Sequence, residues 1–88
     1  MIRYDKSVNW FEMWFSDRKA ILQVMIENMR SDLKAGYNPD GISIKRQQVM
    51  IYDYDRETDR QLDAFKFMDE EKINHWCFYD MIKRGVIE

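Results

Sequence analysis

The side chains best equipped for chemistry in this chain are few and close together. The only histidine, His75, stands four residues after Glu71 and two before the only cysteine, Cys77. A zinc centre needs three or four converging ligands. On a helix His75 and Cys77 project about 200° apart, and there is no second histidine to complete a set. A di-iron carboxylate site asks for a Glu three residues before its His, where this chain has Lys72. Glu71 and His75 therefore read as a surface i,i+4 pair. Cys77, between Trp76 and Phe78, falls on the apolar side of the same helix, where a thiol stays protonated and inert. His75 lies on the other side and is not placed to act as its base.

Two further patterns point away from chemistry. Asp53, Asp55, Glu57 and Asp59 alternate at the spacing of a calcium loop, but the sixth and twelfth positions, which such a loop fills with Gly and Glu, are Thr58 and Ala64. On a helix these carboxylates radiate instead of converging. The row Asp55, Asp59, Asp63 sits on an exposed helical face, which offers no cleft in which carboxylates act as acid and base. No glycine-rich phosphate loop, nucleophile elbow or Walker-type lysine occurs. The sequence thus predicts no catalytic residue, no metal, no cofactor and no small-molecule substrate, and an enzyme is the least supported class.

The totals narrow the field further. Of 88 residues, 45% are hydrophobic and 15% aromatic, which excludes a disordered chain. Fourteen basic and sixteen acidic side chains give a net charge of -2, without the basic excess that phosphate neutralisation demands. One cysteine permits no internal disulfide, which points to a reducing compartment. No signal peptide is evident in the first residues, and no apolar run approaches the ~18 residues of a membrane span, so a cytoplasmic location is expected.

Three Gly and one Pro leave long stretches unbroken, and their apolar spacing is helical. Helix 1 is expected over 9–35, with Asn9 as N-cap, Glu12 reaching back to it, and Phe11, Trp14, Leu22, Met25, Ile26, Met29 and Leu33 on one side. Ser16-Asp17 marks a place for a break. Gly36 fits the C′ position, and Tyr37 to Gly41 forms a reversing loop within 36–42. Helix 2 is expected over 43–68, capped by Ser43, with the stripe Ile44, Gln47, Ile51, Tyr54, Thr58, Leu62, Phe65, Met68. Its aspartate row sets like charges at intervals of four, costing a few tenths of a kcal/mol per pair, offset in part by Arg60 near Asp63 and by Arg56 near Asp53 and Asp59. Helix 3 is expected over 70–84, starting on Asp69-Glu70-Glu71 and ending at Gly85.

The predicted fold is all-α: residues 1–88 as a single domain, a long helical hairpin of coiled-coil type plus a shorter C-terminal helix. Its expected core is Trp10, Phe11, Trp14, Leu22, Met25, Met29, Ile51, Leu62, Phe65, Met68, Ile73, Trp76 and Met81. At about 37 Å, helix 2 overhangs its partners, which favours a dimer.

Function is then sought in protein contacts. Aromatics crowd the start of helix 1 and the middle of helix 3, and adjacent helical positions diverge by about 100°, too far to share one core. Trp10, Met13, Phe15 and Phe78 are the expected contact surface of a small interaction or regulatory module that self-associates or binds another protein. The alternative is a nucleic-acid-associated regulator using Lys45, Arg46, Lys83 and Arg84. It requires two distant basic pairs to meet beside a helix loaded with Asp.

Overall fold

The computed structural model describes residues 3–36 and 42–87, with the backbone alone at 42 and 43. It contains three helices, α1 (Trp10–Lys34), α2 (Ile42–Phe65) and α3 (Glu70–Lys83), with α1 packed against both others. The all-α hairpin with a shorter third helix is therefore the observed architecture. The molecule measures 49 × 29 × 16 Å, elongated along the hairpin.

Helix boundaries follow local chemistry. The Asn9 side chain accepts from the Glu12 N–H at 3.1 Å, one half of the expected box, while the Glu12 carboxylate accepts from the Asn9 side-chain amide at 3.4 Å in place of its backbone N–H, so the reciprocal half is side chain to side chain. α1 runs unbroken through Ser16-Asp17, because nothing there competes with the helical ladder once Trp14 and Arg18 are buried on either side. α2 ends at Phe65, three residues before the predicted limit. Lys66 to Met68 turn instead, their N–H groups donating to carbonyls three residues back. Asp69 then caps α3 by accepting from the Lys72 N–H at 2.9 Å. At its far end Val86 N–H reaches Met81 O and Gly85 N–H reaches Ile82 O, the double bond of a Schellman turn, with Gly85 at φ 75°. Gly36 takes the same left-handed backbone after α1, at φ 65°. The expected loop from Tyr37 to Gly41 lies outside the described residues. α2 begins at Ile42, which puts Ser43 inside the helix and not at its cap.

The core sits at one end, the base, where the first half of α1, the end of α2, α3 and the N-terminal arm meet. Trp14, Cys77 and Met81 are fully buried there, with Trp10, Phe65 and Phe78 around them. Trp14, Phe65 and Trp76 meet edge to face with centroids 5.3–5.6 Å apart, the arrangement that ring quadrupoles favour. The arm closes this end. Tyr4 stacks on His75 at 3.9 Å and meets Phe78 edge-on at 5.4 Å, and the Trp10 indole donates to Asp5 O at 2.9 Å.

Beyond Arg18 no residue of α1 is buried. Leu22, Met25, Met29 and Ile51, expected in the core, are half-exposed, since the far half of the hairpin has only two helices to shield them. Loss of the Asp69 cap exposes orphan N–H groups at the start of α3. Asp69→Ala should lower stability by about 1 kcal/mol in urea melts, with the slope unchanged.

Candidate functional site

Three helices converge on one charged junction. Arg18, 4% exposed, enters the α1–α2 seam from α1. Its Nε donates to Thr58 Oγ1 at 2.8 Å and its Nη2 to Tyr54 O at 3.1 Å, both on α2. The guanidinium lies 3.8 Å from the centre of the Tyr54 ring, and Glu57 approaches it at 3.9 Å from the solvent side. On the α3 side, Asp80 Oδ2 accepts from the Trp14 indole at 2.9 Å and from Arg84 Nε at 3.0 Å. Arg84 also reaches Asp17 at 3.5 Å. The Tyr54 hydroxyl is buried without a hydrogen-bond partner, and burial pushes its pKa up. Apart from that hydroxyl these groups satisfy one another across helices, so the junction holds α1, α2 and α3 in register.

The four cations of the nucleic-acid alternative are not brought together. Arg84 is engaged by Asp80 and Asp17 at the base, with Lys83 beside it. Lys45 and Arg46 lie next to Gln47, whose amide bonds Asp32 at 2.9 Å near the other end of α1. Asp17 and Asp32 are about 22 Å apart along that helix. Two pairs so separated make no common phosphate footprint.

Of the expected contact residues, Trp10 and Phe78 are each 2% exposed and belong to the core. The arm and α3 enclose them, because aromatic side chains on a helix covered from two directions need not share one face. Phe15 is half-buried beneath the Lys19 ammonium, 4.6 Å from its ring. Met13 alone of the four is well exposed. His75 pairs loosely with Glu71 at 3.9 Å, and Cys77 is shut in the core. Among the described residues no three His, Cys, Asp or Glu side chains gather at one point.

Uncovered apolar surface lies elsewhere. Where the start of α1, the end of α2 and the start of α3 meet, a cleft of about 350 Å³ opens between Phe11, Leu62, Phe65 and Ile73, rimmed by Lys66 and Glu70. Further along the hairpin, a groove of about 300 Å³ is lined by Leu22, Ile26, Met29, Ile51 and Tyr52. The opposite side carries a smaller one, about 240 Å³, at Met25, Met50 and Ile51. Phe67, in the turn between α2 and α3, is 91% exposed. No family model, curated protein or solved structure matches the chain.

Two outcomes follow from this geometry. Arg18→Leu takes away the donor to the Thr58 hydroxyl and one of the donors to Tyr54 O, which keeps the Thr58 hydroxyl at 3.0 Å, and should cost about 2 kcal/mol; combined with Thr58→Val the loss should be less than additive, read by a double-mutant cycle. Burial, with Asp80 adding to it, pushes the Cys77 thiol from its ordinary 9.0 up to about 12. The folded chain therefore keeps its proton where the unfolded chain releases it. The associated stability is full below about pH 9 and lost as pH rises from there toward 12. A thiol reagent at pH 8 should label Cys77 only after denaturant is added.

Proposed function

We propose that this chain is a protein–protein interaction or regulatory module without catalytic activity, docking through the uncovered sides of the α1–α2 hairpin. One observation carries the reading: past Arg18 the seam between two long helices, apart from the buried Ile44, stays half-exposed on both sides, although its residues are Leu, Ile and Met. Met50 and Tyr52, which line the recesses on its two sides, are 60% and 56% exposed. Contiguous apolar surface of this kind, rimmed by charge, is characteristic of contact sites. The polar junction at Arg18 supports the same reading, because its charged groups are consumed in holding the helices and its one unpartnered group, the Tyr54 hydroxyl, is buried and lines none of the recesses. No described helix is long and apolar enough to cross a membrane, so this surface is not accounted for by a span.

The reading is tested by placing a photoreactive side chain at Ile26 and at Met50, with exposed Lys72 on α3 as control. Irradiation of cells should give discrete adducts from the hairpin positions and none from the control. Absence of any adduct, to another protein or to the chain itself, at both hairpin positions overturns it.

A further inference from the structure

Arg18 divides the hairpin into two lengths of unequal cohesion. On the base side, α1 is tied to α3 by three bonds, Phe11 N–H to Asn74, the Trp14 indole to Asp80 and Arg84 to Asp17, around the fully buried Trp14, Cys77 and Met81. On the other side, residues 22–34 of α1 face residues 44–51 of α2 with far less between them. Among the described residues, Ile44 is the one buried side chain of that stretch, and Gln47 to Asp32 at 2.9 Å is the one hydrogen bond joining its two arms. No ion pair among the described residues crosses it. Leu22, Met25, Ile26, Met29 and Ile51 are half-buried, and Leu33 and Met50 are more than half exposed.

Helical arms of these lengths do not hold themselves. Isolated helices shorter than about 12–15 residues are marginal in water, and neither arm exceeds that. Their closed form depends on the seam between them, where each apolar residue withdraws only part of its area from water. At Arg18 the situation changes within one turn. Opening the hairpin that far breaks the bonds to Thr58 at 2.8 Å and Tyr54 O at 3.1 Å and the contact with the Tyr54 ring. One turn beyond lies Trp14, 1% exposed. Separating the arms costs little up to this lock and much past it.

We infer that the outer hairpin is a conformational device: residues 22–34 and 44–51 open and close as one unit while the base stays folded, with Arg18, Thr58 and Tyr54 as its boundary. Leu22, Met25, Ile26, Met29, Met50 and Ile51, which line the two hairpin recesses, all belong to this unit. The apolar surface is therefore assembled only while the unit is closed. A partner that docks there binds the closed form and draws the equilibrium toward it, so docking is coupled to local folding, and its apparent Kd rises as the closed fraction falls. That use rests on the hairpin being a docking surface; the opening itself is a property of the chain alone.

Native-state hydrogen exchange of the whole chain, followed amide by amide by NMR at a series of low urea concentrations, tests it together with Asp69→Ala, which removes a cap in the base. In the parent, amides of 24–33 and 46–51 should exchange through an opening with a shallow urea dependence. Those of Trp14, Cys77 and Met81 should exchange through global unfolding with a steep one, and the change between the two classes should fall at Arg18 and Thr58. Loss of the Asp69 cap destabilises the closed and the hairpin-open forms alike, because both keep the base. Asp69→Ala should therefore speed exchange at Trp14, Cys77 and Met81 about fivefold and leave the hairpin amides at the parent's rates. One urea dependence shared by both groups overturns the inference, and so does a fivefold acceleration of the hairpin amides in Asp69→Ala. Protection that declines smoothly along both helices, with no step at Arg18, overturns it too. Adducts at Ile26 and Met50 in cells report docking whether or not the unit opens, so the two readings fail separately.

Discussion

The guanidinium of Arg18 is the point on which the rest of the arrangement turns. A cation taken this far from water is tolerated only where its donors and its charge are answered, and here the answers come from one neighbouring helix: a hydroxyl, a backbone carbonyl, an aromatic face and a carboxylate at the solvent edge. Each partner has one position along α2, so Arg18 fixes the axial register of the hairpin in a way that Leu and Ile side chains sliding past one another do not. The Trp14 indole, one turn earlier on α1, does the same for α3 through Asp80. Register toward both helices is thus set from adjacent turns of α1.

That division explains why the molecule is compact at one end and thin at the other. Below Arg18 three helices and the arm surround a group of aromatic rings, and Cys77 and Met81 fill the space among them. Above it two helices lie side by side with no third layer, and apart from the buried Ile44 the apolar residues that face the seam are half-exposed. The same sequence period runs through both halves, so the difference comes from what α3 can reach, not from the hairpin's own pattern.

Much of this architecture was readable from spacing. The three helices, the Gly36 and Gly85 terminations, the Asp69 start and the burial of Cys77 follow from local rules acting within a few residues. The spacing left open whether helix 1 breaks at Ser16-Asp17, and it is continuous there because burial on both flanks outweighs two weak capping residues. The aromatic surface was misplaced for a related reason: Tyr4 and Val8 supply a cover for Trp10 and Phe78, and seven irregular residues carry no periodic signal that they will fold back. Arg18 was missed although a signal existed. It occupies the one slot between Trp14 and Leu22 where the α1 stripe lacks an apolar residue, and Thr58 is the polar interruption at the matching level of α2. A polar residue in each of two facing seams at the same height is the trace that such a bond leaves in a sequence. The open side of the hairpin was legible only as excess helix length, because which side α3 covers depends on contacts between residues more than 60 apart.

Those separations also govern how the chain reaches its structure. The bonds that close the base join Phe11 to Asn74, Trp14 to Asp80 and Asp17 to Arg84, spanning 63 to 67 residues. The hairpin, whose two strands of helix are neighbours in sequence, has the shorter loop to close but almost no dry interior to reward it. The part that can form first is therefore the part that holds least, and the part that holds most waits for the other end of the chain. On the ribosome, the α1 tryptophans emerge long before the α3 residues that bury them, and the base closes only after Arg84 has been added.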